Sequence, residues 1–150
     1  MPDQLTTLLL LTHAAATWFM VGLIWFVQLV HYPLMHHVPE THTRNYAAEH
    51  QSLTTRVVAP VMLVELAAVV WTFFCSHPDG EFSALRAVGA GLLALVWAST
   101  FLVQVPLHRT LLLSPNARTR SLLVRTNWIR TAAWTGRGVV ALAMLRHSAP

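Results

Sequence analysis

The stretch VVAPVMLVELAAVVWTFFC, residues 57–75, decides the fold, because it is apolar throughout except for one charged residue, Glu65. A helix that crosses a lipid bilayer needs about 20 mainly apolar residues, and this stretch meets that requirement. Further segments do so as well, and the predicted spans are residues 5–31, 57–75, 83–107 and 121–146. The sequence therefore predicts an all-α fold: a bundle of four transmembrane helices in a single integral membrane domain, residues 1–150.

The composition also indicates a membrane protein. Hydrophobic residues make up 55% of the 150 residues and charged residues only 11%, whereas soluble domains are about one quarter charged. All ten basic residues are arginine, and they are spread among apolar runs. Nucleic-acid-binding proteins present a clustered basic surface, so we expect no nucleic-acid partner. The single cysteine, Cys75, allows no internal disulfide.

The connections between the spans predict how the bundle is oriented. Pro39 and Thr41 offer a start signal for the second helix, which would extend it beyond the membrane. Turns are predicted in SHPDGEF, residues 76–82, and at Ser114, Pro115 and Asn116. Connections 32–56 and 108–120 hold five arginines, against Arg86 and Arg146 near the other side, and the positive-inside rule places these connections in the cytoplasm. Both termini would then be extracytoplasmic. The first span is too long for a signal peptide, so we expect it to be retained as a transmembrane helix.

Polar residues within the spans follow helical spacing. Residues three, four or seven apart share one face of a helix, and Asn127, Arg130, Trp134 and Arg137 form such a stripe. Glu65 lies roughly 12 Å into its span at 1.5 Å per residue, and the two arginines bracket that depth. An ionisable group within a bilayer is costly and usually pairs. We therefore expect a salt bridge from Glu65 to Arg130 or Arg137.

One carboxylate cannot neutralise two arginines, and the surplus positive charge favours a ligand. A small hydrophobic or anionic molecule with a carboxylate, phosphate, quinone or phenolate oxygen would fit, in a cavity open toward the cytoplasmic interface. The alternative is that the polar network only ties the helices together. The stripes on the first, third and fourth helices supply the predicted substrate-binding residues: Gln28, Tyr32, Gln104, Asn127, Arg130, Trp134 and Arg137.

Histidine is abundant, with nine residues, most of them on the predicted cytoplasmic side. Imidazole is the commonest metal ligand and moves protons near neutral pH, so we predict His50 and His108, together with Glu65, as catalytic residues. A transition metal or haem held by His50, His108 and His37, with His31 as another candidate, is one interpretation. Interfacial histidines in a lysine-free chain are the other, since no HExxH or CxxC motif is present.

Four stretches carry a family resemblance: VQLVHYPLMHHV (27–38), YAAEHQSLTTRVVAPVMLVEL (46–66), WASTFLVQVPLHRTL (97–111) and LVRTNWIRTAAWTGR (123–137). They resemble a group of uncharacterised small bacterial four-helix integral membrane proteins, which implies the bacterial inner (plasma) membrane. WFMVGLIWFVQLVHYPLMHH (18–37) is more distantly similar to the first helix of the haem-associated protoporphyrinogen-oxidase-type proteins, although their lysine has no counterpart here. Size and helix layout are similar to those of anthrone-oxygenase-like membrane proteins. Both resemblances imply redox chemistry on a hydrophobic aromatic substrate.

These observations favour a multipass membrane oxidoreductase that acts on a small hydrophobic substrate. A second hypothesis is a non-catalytic module that binds or transports a lipid or an anion, for which a homo-oligomer would be expected. A third is an accessory subunit of a larger membrane complex.

Overall fold

A computed structural model describes residues 4–74 and 80–148, and within these ranges the chain forms four long helices and no strand. Helix α1 comprises Gln4–Phe26, a π-helical turn Val27–His31 and the short segment Tyr32–Met35. Helix α2 is Glu40–Phe74, and helix α3 comprises Gly80–Ser99, a second π-helical turn Thr100–Gln104 and Val105–Leu113. Helix α4 is Ala117–Ser148. The all-α prediction is confirmed, whereas Cys75 and most of the predicted 76–82 turn lie outside the described residues.

Three of the helices are long and apolar enough to cross a membrane: Gln4–Met35, Thr41–Phe74 and Phe82–Leu113. Large apolar side chains such as Leu29, Phe74 and Leu102 are exposed on their outer surfaces, as expected for helices that face lipid. The prediction of helices that are long and apolar enough to span a membrane is confirmed for these three. Helix α4 is not among them, because many of its polar residues, including Asn127 and Arg137, lower its hydropathy although they are buried inside the bundle.

The helices are longer than the predicted spans, and prolines do not interrupt them. Helix α2 begins at Glu40, close to the predicted start signal, and continues through Pro60. Helices α1 and α3 continue past Pro33 and Pro106, each immediately after a π-helical turn. In these turns the Tyr32 N–H donates to the Val27 carbonyl, and the Val105 N–H donates to the Thr100 carbonyl. The wider turn makes room for a residue that lacks an N–H and that would crowd a regular α-helix.

The predicted turn at Ser114, Pro115 and Asn116 separates α3 from α4. Ser114 leaves the helical conformation, with φ −144° and ψ 85°, as expected for a residue before proline. The Asn116 side chain then accepts a hydrogen bond of 2.8 Å from the Thr119 N–H. This bond satisfies one of the free N–H groups at the start of α4, so Asn116 acts as its N-cap.

Helix α4 packs most extensively against α1 and α3. Gly138 allows the close approach of α1, because a Cβ at this position would lie 3.2 Å from Val21 and 3.3 Å from the Trp18 ring. Two apolar clusters form the core. The first contains Met20, Val21, Ile24, Met62, Val96, Ala133 and Trp134. The second, which we call the end cluster, contains Val27, Tyr32, Met35, Ala47, Leu111 and Leu123 and lies toward the 36–39 and 114–116 turns.

Candidate functional site

A buried ion pair joins α2 to α4. The Arg137 Nε donates to Glu65 Oε1 at 2.9 Å, and both side chains are 0% exposed. The same carboxylate accepts a hydrogen bond from the Thr17 hydroxyl at 3.0 Å and from Trp134 Nε1 at 3.0 Å. The predicted salt bridge of Glu65 therefore forms, and its partner is Arg137.

The remaining N–H groups of Arg137 also have partners. Its Nη1 donates to the Gly89 carbonyl on α3 at 2.7 Å, and its Nη2 lies 2.9 Å from His13 Nε2 on α1. We call the set His13, Thr17, Glu65, Trp134 and Arg137 the Glu65 cluster. It contains side chains from α1, α2 and α4, and its charges are balanced. Such an arrangement compensates the cost of placing two ions away from water.

Arg130, two turns earlier on α4, has only neutral partners. Its Nε and Nη2 donate to Asn127 Oδ1 at 2.9 and 2.5 Å, and its Nη1 lies 3.4 Å from the Thr100 hydroxyl. Asn127 is itself held by Gln28, whose Oε1 accepts from Asn127 Nδ2 at 2.7 Å. Within the described ranges Arg130 has no carboxylate partner, so nothing there neutralises its charge.

Arg130 lines a cavity of about 300 Å³ between the four helices. The walls are mainly apolar and aromatic, and they include Trp97, Phe101 and Trp134. The Arg130 guanidinium lies over the Trp134 ring, 5.9 Å from its centroid, which is within the range of a cation–π contact. The described lining residues include no Asp or Glu. The polar lining residues are Tyr32, His50, Gln51, Thr54, Thr55, Thr100, Gln104, His108 and Arg130.

The cavity opens on one side of the bundle. Its exposed lining residues are Thr55 and Leu63 on α2 and Phe101 and Val105 on α3, whereas the described lining residues of α1 and α4 are buried or half-buried. The end cluster closes the bundle beyond the cavity, toward the 36–39 and 114–116 turns. The expected opening toward the cytoplasmic interface is therefore replaced by a lateral one, because Leu111, Leu123 and Met35 fill the end of the bundle.

Three imidazoles lie in a row beside the cavity. The His50 ring is stacked on His31, with centroids 4.1 Å apart, and its centroid is 6.0 Å from that of His108. The Tyr46 ring is stacked against both His31 and His50, with centroids 6.0 and 6.3 Å away, and its hydroxyl lies 3.4 Å from His31 Nε2. His108 Nδ1 is buried and has no hydrogen-bond partner in the part of the chain that the structure describes. The His108 imidazole can therefore accept or donate a proton at the cavity wall.

The structure does not bring the three predicted metal ligands together. His37 is exposed in the turn between α1 and α2, while His50 and His108 line the cavity. Across residues 4–74 and 80–148, no three His, Cys, Asp or Glu side chains are grouped so that they would hold a metal ion. The histidine that lies next to His50 is His31, which contributes a stacked ring.

The other predicted site residues divide between the two regions. Tyr32, Gln104, Arg130 and Trp134 line the cavity. Gln28 and Asn127 support Arg130 from behind, and Gln28 Nε2 also donates to the Val124 carbonyl at 3.2 Å. Glu65, predicted as catalytic, and Arg137, predicted to bind substrate, lie in the Glu65 cluster and do not line the cavity.

Several residues of both regions escaped the sequence prediction. His13 and Thr17 belong to the Glu65 cluster, and their spacing of four on α1 was the available signal. Thr100 shares helical spacing with Trp97, Gln104 and His108, and all four line the cavity, but Thr100 is not among the predicted site residues. Trp97 Nε1 is buried and lacks a hydrogen-bond partner among the described residues.

Comparison of the chain with protein-family models, with curated proteins and with solved structures finds no match.

Proposed function

We propose that the protein binds a small apolar molecule through an anionic or electron-rich oxygen, inside the cavity between the four helices. The observation that carries this proposal is Arg130. This cation lies at the wall of an apolar cavity, and all of its hydrogen-bond partners among the described residues are neutral. A charge kept away from water is costly unless an opposite charge or strong dipole compensates it. A carboxylate, phenolate or quinone oxygen bound by Arg130 would supply that compensation.

The size and walls of the cavity support a ligand with a flat ring. About 300 Å³ is at the lower end of the volumes of small-molecule pockets, which are roughly 300–1,000 Å³. Trp97, Phe101 and Trp134 provide aromatic surface, on which rings pack favourably. His50, Gln104 and Tyr32 add groups that can hydrogen-bond to ring substituents.

Ligand binding can be measured by the quenching of tryptophan fluorescence, because two tryptophans line the cavity. We expect saturable quenching by 2-methyl-1,4-naphthoquinone in the detergent-solubilised protein, and an affinity at least tenfold lower for Arg130→Gln. The matched control is Arg125→Gln, an exposed arginine on the same helix that does not line the cavity. Absence of saturable quenching, or equal affinities of the wild type and Arg130→Gln, would contradict the proposal.

A catalytic role, oxidoreductase-like as the resemblances imply, is the second candidate. The observation that favours it is the row of His31, His50 and His108 beside the position where the ligand oxygen would bind. These imidazoles would exchange a proton with that oxygen. Two of the residues predicted as catalytic, His50 and His108, belong to this row. A visible absorption band or bound metal in the natively purified protein, lost in a His50→Ala, His108→Ala double variant, would support the redox form of this function.

We further propose that α4 is a fourth span and that the extension of α2 is cytoplasmic. The outer face of α4 carries exposed Trp128, Ile129, Val139 and Leu142, and these lie between the exposed Arg125 and Arg146. The 21 residues from Arg125 to Arg146 would extend roughly 30 Å along a helix, the thickness of the hydrocarbon layer. In a bacterial inner membrane, a reporter fused to the C-terminus should score as extracytoplasmic.

A further inference from the structure

The opening of the cavity is on its side, between α2 and α3. Its exposed rim residues are Thr55 and Leu63 on α2 and Phe101 and Val105 on α3. Leu63 and Phe101 are each 56% exposed although they also line the cavity. The rim spans eight residues of α2, roughly 12 Å at 1.5 Å per residue. Both helices are apolar enough to cross a membrane, and Leu63, Phe101 and Val105 lie within the predicted spans, so this part of the opening would face the hydrocarbon layer.

Other routes into the cavity are filled by packed side chains. Toward the 36–39 and 114–116 turns, Tyr32, Met35 and Leu111 are each at most 1% exposed. On the opposite side, the first apolar cluster and the Glu65 cluster occupy the space between the helices. Helix α4 packs more extensively against α1 and α3 than α2 packs against α3. The α2–α3 side is thus the open side of the cavity.

We infer that the ligand enters laterally from the bilayer and is a ring with a hydrocarbon tail. This inference rests on the proposed function. The oxygen-bearing ring would occupy the cavity beside Arg130, and the tail would leave between the rim residues of α2 and α3 and remain in the lipid. A cavity of about 300 Å³ holds a ring but has little room for a long chain. A tail in lipid retains its apolar surroundings, and the protein needs no further space for it.

The test compares two quinones that share one ring. Protein in phosphatidylcholine nanodiscs is titrated with 2-methyl-1,4-naphthoquinone and with 2-methyl-3-decyl-1,4-naphthoquinone, and each affinity is expressed per lipid-phase concentration. The rim variant is Thr55→Phe with Val105→Phe, which narrows the opening. The matched control is Val57→Phe with Leu102→Phe, because both residues are exposed on the same two helices and neither lines the cavity.

We expect the rim variant to bind the decyl quinone at least tenfold more weakly, and the ratio of decyl to tail-less affinity to fall at least fivefold. The control should stay within twofold of the wild type for both ligands. An unchanged ratio in the rim variant, or an equal fall in the control, would overturn lateral entry. The single variant Val105→Phe should show the same change of ratio if the double variant fails to fold.

Failure of the proposed function has a different signature. In that case the wild type binds neither quinone saturably, and Arg130→Gln has no effect. Lateral entry fails on its own when the wild type binds both quinones, Arg130→Gln weakens both, and the rim variant still discriminates between them as the wild type does.

Discussion

Arg130 and Arg137 lie on one face of α4, seven residues apart, and yet their surroundings are opposite. Arg137 is 0% exposed and pairs with Glu65, Gly89 and His13. Arg130 contacts the neutral oxygens of Asn127 and Thr100 and borders the cavity. A buried arginine with a carboxylate partner connects helices, whereas an arginine without one leaves its charge available for the ligand that we propose.

Trp134 is the boundary between the two regions. Its Nε1 donates to Glu65 Oε2 at 3.0 Å, and its ring lines the cavity beneath Arg130. The two arginines are thus separated by one aromatic side chain that contacts both. The comparison predicts that changes in the Glu65 cluster alter stability and that changes around Arg130 alter ligand binding.

Breaking the ion pair should have the largest effect on stability. Glu65→Gln leaves the Arg137 charge buried without its carboxylate, and removal of one partner of a buried pair costs about 3–5 kcal/mol. The free energy of unfolding of a whole domain is only about 5–15 kcal/mol, so we expect a large fall in the thermal midpoint of the detergent-solubilised protein. The measurement is loss of the monodisperse size-exclusion peak on heating.

The control for this change is Glu49→Gln, which alters an exposed carboxylate on the same helix. Its effect should stay within about 0.5 kcal/mol, as is usual for surface substitutions. Adding Arg137→Met to Glu65→Gln should restore part of the lost stability, because the double variant no longer buries an unpaired charge. A Glu65→Gln protein as stable as the wild type would show that the pair is not the structural element we describe.

Giving Arg130 a carboxylate should make the two arginines alike. In Asn127→Asp one carboxylate oxygen takes the place of the amide oxygen that already accepts two hydrogen bonds from Arg130, while the N–H that donates to Gln28 is lost. The cation is then neutralised by the chain itself, so we expect at least tenfold weaker binding of 2-methyl-1,4-naphthoquinone without loss of the folded protein. Asn45→Asp, at an exposed position of α2, is the control. Unchanged binding in Asn127→Asp would mean that the charge of Arg130 is not what the ligand recognises.

The boundary residue should show an intermediate effect. Trp134→Phe removes the N–H that donates to Glu65 but keeps an aromatic ring under Arg130. Hydrogen bonds to charged groups contribute about 1.5–3 kcal/mol, so we expect a stability loss of about 2 kcal/mol. Quinone affinity should change less than threefold. Trp128→Phe, on the exposed surface of α4, should leave both quantities unaltered; a tenfold affinity loss in Trp134→Phe alone would place this residue in the binding site proper.

The sequence was sufficient to predict the helices and the existence of the salt bridge, since both follow from the free-energy cost of placing polar groups in lipid. Apolar length predicts spans, and a lone carboxylate at bilayer depth requires a cation. The sequence did not decide which of Arg130 and Arg137 pairs with Glu65, because a shift of about one turn between α2 and α4 brings either arginine level with the carboxylate. It also implied a fourth span in α4 that hydropathy alone does not support, since the polar residues of this helix face inward.

The details of the cavity could not be predicted because periodicity of 3.6 residues was assumed throughout. The π-helical turn in α1 brings Val27 and Tyr32, five residues apart, to the same cavity wall. Trp18 and Trp25, which precede Tyr32 at intervals of seven residues and would share its face on a regular α-helix, are instead exposed. A π-helical turn depends on how proline is accommodated in the packed bundle. Local sequence patterns therefore do not reveal that the residues after the turn lie on a different face of the helix.

The smallest effect is expected for an uncharged link between helices. Gln104 Nε2 donates to the Thr126 hydroxyl at 2.9 Å, and Tyr32 lies 3.4 Å from Gln104 Oε1. Interhelical hydrogen bonds in membrane proteins average about 0.6 kcal/mol and rarely exceed about 1.7 kcal/mol. We therefore expect Gln104→Met to lower stability by about 1 kcal/mol, and a double-mutant cycle with Thr126→Val to give a coupling below that value. A loss as large as that of Glu65→Gln would contradict the view that charge pairing, and not neutral hydrogen bonding, is what holds this bundle together.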